Sequence, residues 1–76
     1  RMLATGRIDL VASTSRYIYV MELKLSKNGG MAAAETQIKT HRYIEPFKAD
    51  KREVIALAVE LDDMGKGLID WKQVEE

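Results

Sequence analysis

Apolar and polar positions follow a two-residue period at the start of the chain and change to a helical period near its middle. The stretch from Ile8 to Leu25, IDLVASTSRYIYVMELKL, reads as two apolar strands folded back on each other. Ser13-Thr14-Ser15 lies between them and supplies hydroxyls that bond nearby backbone groups in turns. In the first strand, Ile8 to Ala12, alternation puts Ile8 and Leu10 on one face and Asp9 and Val11 on the other. The second strand, from Tyr17 to Leu25, is rich in β-branched and aromatic residues. Its centre is apolar on both faces, the pattern of a strand covered from both sides.

Ser26-Lys27-Asn28-Gly29-Gly30 interrupts this pattern as a loop. From Met31 to about Glu45 the spacing becomes helical, with Met31, Ala34, Ile38 and His41 forming one stripe. Ala32-Ala33-Ala34 favours helix, and Pro46 disfavours helical geometry at Glu45, so the helix should end there. On this reading His41 is a partly buried helix residue. Phe47 to Arg52 forms a polar connection. Val54 to Val59 is nearly continuous apolar sequence, as in an interior strand. A turn follows at Asp62 to Gly67, and Leu68 to Val74 reads as an edge strand. The order strand, strand, helix, strand, strand predicts an α/β fold whose helix is a right-handed crossover between parallel neighbours.

Composition narrows the class. With 76 residues the chain forms one small domain of marginal stability. It contains no cysteine, which removes disulfides and thiolate metal sites and fits a reducing, cytoplasmic setting. No apolar run is long enough to span a membrane. Twelve basic and 12 acidic residues cancel, which argues against general electrostatic binding to nucleic acid or anionic lipid but leaves room for a local basic patch. The first residue is Arg1, so the sequence is expected to be a fragment, a C-terminal piece of a longer chain.

Three charges stand where an ordinary sheet places hydrophobes: Asp9, Glu22 and Lys24. Glu22 and Lys24 share a face, and Leu23 points the other way. A two-residue turn at Ser15-Arg16 sets Asp9 opposite Glu22, whereas a four-residue loop makes them diagonal neighbours. Like charges so placed are destabilising unless something lies between them. A divalent cation fills that role, and a plain salt-bridge cluster is the competing reading. Tyr17, Tyr19, Phe47 and Trp71 read as packing residues. Lys27, Lys39, Arg42, Lys48, Lys51 and Arg52 read as solvated surface.

Gly6-Arg7-Ile8-Asp9-Leu10, then Glu22-Leu23-Lys24 at the end of the next strand, resembles the core of the PD-(D/E)XK nuclease superfamily. Ala34-Glu35-Thr36-Gln37-Ile38, followed by Tyr43 and a polar turn into an apolar strand, is similar to the nuclease-like domain that follows an AAA-ATPase-like region in bacterial proteins. The likeness runs from about Gly6 to Trp71. It implies a restriction-endonuclease-like core: a mixed four-stranded sheet with one crossover helix. It also implies Mg²⁺-dependent, or Mn²⁺-dependent, hydrolysis of a nucleic-acid phosphodiester, with DNA favoured over RNA. Asp9 matches the metal-binding aspartate, Glu22 the second acidic ligand, and the carbonyl of Leu23 a further ligand. Lys24 matches the lysine that assists the attacking water, and Gln37 is a further candidate, with Tyr43 behind it. An upstream ATPase-like domain of the same chain is the implied partner.

The sequence departs from the pattern in three places. Ile8 replaces the proline of the motif's name. No helix precedes the first strand. Tyr43 lies six residues after Gln37, and His41 occupies the fourth position, where some relatives carry the tyrosine. The alternative function is a catalytically inactive module that uses its sheet for association with a protein or with a second copy.

Overall fold

The computed structural model describes residues 8–75. Four strands form one mixed sheet in the order β1-β2-β3-β4, with β1 at Leu10–Ser13, β2 at Tyr17–Leu25, β3 at Glu53–Leu61 and β4 at Leu68–Val74. The central pair, β2 and β3, is parallel, and each outer strand is antiparallel to its neighbour. Helix α1, Gly30–His41, joins the parallel pair, as such a connection requires. Short 3-10 turns at Ser26–Asn28 and Glu45–Phe47 flank it. The predicted order and the bounds of the edge strand are those observed.

The hairpin takes the tighter of the two registers. Thr14 N–H donates to the Tyr17 carbonyl at 2.8 Å, and the Thr14 hydroxyl oxygen accepts from the backbone of Arg16 and Tyr17. Leu10 is paired with Met21, the register in which a continued ladder would set Asp9 opposite Glu22; the pairing ends at Leu10.

One sheet face carries the core. Ile18 and Val20 of β2, Ala56 and Ala58 of β3 and Val74 of β4 pack with Ala34 and Ile38 of α1, and Ile8 and Tyr43 complete the cluster. Alanines at the facing positions let helix and sheet approach closely. Full burial of a side chain such as Ile38 stabilises the fold by about 1.5–3 kcal/mol. The helix start is built from outside the helix. The Glu60 carboxylate of β3 accepts from Met31 N–H at 3.2 Å and from the Ser26 hydroxyl at 2.6 Å. Gly30 has φ +54°, which favours glycine, and an added Cβ would lie 2.7–2.9 Å from that carboxylate, which would have to shift.

Four expectations need correction. The first strand begins at Leu10 and not at Ile8, because the chain bends at Asp9. The bend breaks the alternation, so Ile8 is buried while Leu10 is exposed. Helix α1 stops at His41, short of Glu45, because Arg42 takes the left-handed conformation at φ 50°. Pro46 instead opens the following 3-10 turn, and His41 is exposed. Finally, β2 is buried on one face only. On the other face Tyr17, Tyr19, Met21 and Leu23, with Ile55, Leu57 and Val59 of β3, remain half-exposed, and Trp71 beside them is 57% exposed.

Candidate functional site

The site grows out of the bend at Asp9. Where β1 would have continued its ladder, the Asp9 side chain substitutes for it: Oδ2 accepts the N–H of Leu23 at 2.9 Å. A strand residue points its N–H and C=O to the same edge. The Leu23 carbonyl therefore faces the same edge, beyond Leu10, where the β1 pairing has stopped.

Glu22 arrives from the neighbouring position. Ile18, Val20 and Glu22 alternate onto the helix-covered face, which leaves Glu22 only 2% exposed, the single charged group in the core among the described residues. Lys24, two residues on, lies at the rim of this face with its Nζ 3.5 Å from Glu22 Oε2. On the opposite side of Glu22, the Tyr43 hydroxyl donates to Oε1 at 2.5 Å. Gln37 Nε2 in turn donates to the Tyr43 oxygen at 3.0 Å.

These neighbours set the electrostatics. Burial raises the Glu22 pKa above its ordinary value, the Tyr43 hydrogen bond opposes that, and Asp9 adds to it through its charge and a carboxyl–carboxylate hydrogen bond. Lys24 offsets part of the rise. Burial, followed by the hydrogen bond to Glu22, also holds the Tyr43 phenol well above its usual value, so Tyr43 stays a donor at neutral pH. Among the described residues, no buried side-chain polar atom lacks a partner.

The structure thus brings Asp9, Glu22 and Lys24 to one place, with the Leu23 backbone between them. It does not bring Gln37 into direct contact with them: that side chain reaches Glu22 through Tyr43. The part played by Tyr43 is what the strand and helix periods missed. Its only trace in the sequence is the six-residue spacing from Gln37.

The donor set suits a hard cation. Two adjacent carboxylates and a backbone carbonyl match Mg²⁺, which keeps several waters and takes one or two carboxylates together with substrate phosphate. Among the described residues, no group of three or more His, Cys, Asp and Glu side chains forms a protein-only cage. The other acids near strand ends are engaged in loop structure. Asp62 accepts from Met64 and Lys66 N–H, and Asp63 accepts from Lys27 N–H at 2.6 Å.

No helix among the described residues is long and apolar enough to cross a membrane. No curated protein and no solved structure matches the chain at a significant level. A family model does match, over residues 1–71, and it is that of the PD-(D/E)XK nuclease superfamily. Members of this superfamily generally use Mg²⁺ or Mn²⁺ and act on nucleic acid. With a match over nearly the whole sequence, and with the fold that the family implies, the chain belongs to the PD-(D/E)XK nuclease superfamily.

Proposed function

We propose that this domain is a metal-dependent nuclease that hydrolyses nucleic-acid phosphodiester bonds, with DNA as the favoured substrate. The observation that carries the reading is the juxtaposition of the Asp9 carboxylate with the buried Glu22 carboxylate, with Lys24 at the rim beside them. Two acids are destabilising neighbours in the apo protein, and a divalent ion between them reverses that sign.

Asp9, Glu22 and the Leu23 carbonyl would hold the ion. When bound, it supplies Lewis acidity toward a phosphoryl oxygen and toward the attacking water. Lys24 orients that water and offsets negative charge that develops on the phosphate. Asp9 has a second duty, since its bond to Leu23 N–H fixes the strand segment that presents both Glu22 and the Leu23 carbonyl. An ATPase-like region ahead of this domain in the same chain belongs to the proposal on the strength of the motif resemblance.

Calorimetric titration with Mn²⁺ and Mg²⁺ tests the metal centre. The wild type is expected to bind, and Asp9→Asn, which keeps an acceptor for Leu23 N–H, is expected to lose most of its affinity. Equal affinity in the two proteins would remove the metal centre from the reading. A matching assay on supercoiled and linear DNA should show Mg²⁺-dependent cleavage that Lys24→Met abolishes without abolishing metal binding.

A second reading, a non-catalytic association module, is favoured by the half-exposed apolar sheet face that ends in Trp71. It is distinguished by cleavage: a folded, metal-loaded protein that cuts neither DNA nor RNA supports the module.

A further inference from the structure

Tyr43 and Gln37 form a directional hydrogen-bond chain that ends on Glu22. A phenol has one hydrogen to give. Gln37 Nε2 donates to the Tyr43 oxygen at 3.0 Å, which occupies a lone pair there and leaves the hydroxyl proton for Glu22 Oε1 at 2.5 Å. A carboxylate held at one oxygen cannot rotate freely. Its other oxygen, Oε2, is left toward Lys24 at 3.5 Å. Both ends of the central bond are closed to solvent, with Tyr43 at 1% and Glu22 at 2% exposure.

The backbone is shaped to make this bond. Helix α1 stops at His41, and Arg42 adopts φ 50°, ψ 61°, a conformation unfavourable for a non-glycine residue. The following residue is Tyr43, whose N–H remains tied to the Ile38 carbonyl at 3.3 Å. The reversal therefore directs the Tyr43 ring back beneath the helix onto β2. A helix continued to Pro46 would have carried that ring elsewhere.

From this geometry we infer that Tyr43 is a positioning residue for Glu22, and that Gln37 sets the direction of its hydroxyl. Gln37 is thereby placed two hydrogen bonds from the Glu22 carboxylate, behind the oxygen that Tyr43 holds. The inference rests on the metal-centre reading above. The chain holds Oε1 and leaves Oε2, which Lys24 approaches at 3.5 Å, as the oxygen turned toward the site, so an ion would meet a carboxylate already aimed. Supporting partners of this kind commonly change metal affinity by about 10–100-fold when removed.

The test uses Tyr43→Phe, which keeps the ring and deletes the hydroxyl. Gln37→Leu serves as a second variant should the first fold poorly, with Asp9→Asn as the ligand control. Mn²⁺ affinity is measured by calorimetry on samples whose near-ultraviolet circular dichroism matches the wild type. The electron paramagnetic resonance spectrum of bound Mn²⁺ is recorded alongside, because a purely structural role would leave the ion's symmetry unchanged. The expected result is roughly 10–100-fold weaker binding and broadened Mn²⁺ lines in Tyr43→Phe. A smaller change in the same direction is expected in Gln37→Leu, and near-complete loss in Asp9→Asn. Tyr43→Phe and Gln37→Leu that bind with wild-type affinity and wild-type spectra, while Asp9→Asn does not bind, would overturn the positioning role and leave the metal centre standing. Failure of the wild type itself to bind would overturn both.

Discussion

Replacing Glu22 by glutamine should make the metal-free domain more stable. The wild-type carboxylate is 2% exposed and lies beside Asp9, so its ionised form is opposed by burial and by a like charge. Glutamine has the same shape, and its carbonyl can keep the Tyr43 hydrogen bond. Its amide can donate to Asp9, which turns a repulsion into a bond. Relief of the paired charges is worth about 0.2–1 kcal/mol and the new hydrogen bond about 1 kcal/mol. Against these stands the ion pair to Lys24, about 1 kcal/mol at most for a 3.5 Å contact at the rim. The balance is a gain of about 1 kcal/mol, or a rise in melting temperature of roughly 4–8 °C for a domain of this size.

The pH dependence has a defined sign. The folded state holds the Glu22 proton to a higher pH than the unfolded chain, whose ordinary value is 4.5. Between that value and the raised one the folded state binds more protons, so wild-type stability falls as pH rises through the window and stays lowered above it. Glu22→Gln lacks this step. The stability difference between the two proteins should be small in acid and should open toward neutral pH. Differential scanning calorimetry in a chelating buffer, from about pH 4 to about pH 8, measures it. On the proposed metal centre, saturating Mg²⁺ should then raise the melting temperature of the wild type only, because the variant lacks one of the two carboxylates that would hold the ion. A variant that melts below the wild type at neutral pH would refute the reasoning. So would a difference that stays constant across the range.

Two backbone predictions follow from the ends of α1. Arg42→Gly should stabilise the domain by about 0.5 kcal/mol, because relief of the left-handed strain outweighs the greater freedom of glycine in the unfolded chain. Thermal melts read this, and a lowered melting temperature would contradict it. Gly30→Ala should destabilise by about 1–3 kcal/mol, since a side chain there meets both a positive φ and the Glu60 carboxylate. A urea titration measures the loss, and an unchanged midpoint would show that Glu60 is not the cap of the helix.

Much of this structure is legible in the chain because alternation and turn chemistry are local. Leu68 to Val74 could be bounded correctly from its flanking Asp-Asp-Met-Gly-Lys-Gly turn and its own charges. The apolar block of β3 could be read as interior because both its neighbours are strands. Strand pattern leaves the hairpin register between two choices, and Thr14 decides it by binding the backbone of Arg16 and Tyr17. Other features lie beyond local pattern. Alternation gives Ile8 the face of Leu10 because it contains no term for a side chain that replaces a ladder bond, as Asp9 does. The pattern carries α1 to about Glu45, past its end at His41, because periodicity reports which face is apolar, not where the next side chain must reach. Alternation overstates the coverage of β2 because an apolar sequence on two faces records what can be covered, not what covers it.

The features that escaped local rules are not scattered. The bend at Asp9 ends a strand early, the left-handed Arg42 ends a helix early, and Glu22 places a charge in an otherwise apolar core. Each is unfavourable when judged alone, by strand pairing, by backbone sterics or by desolvation. All three converge on one carboxylate: Asp9 lies beside it, and Arg42 turns Tyr43 onto it across a sequence separation of 21 residues. Chance errors in a marginal domain of this size would be removed by any substitution that relieved them, and Glu22→Gln or Arg42→Gly would do so. Local conflicts that persist together around a single site are the expected mark of a function bought with stability. Here the site is the pair of acids where β1 breaks off, and the proposed metal centre is the function against which their repulsion would be set.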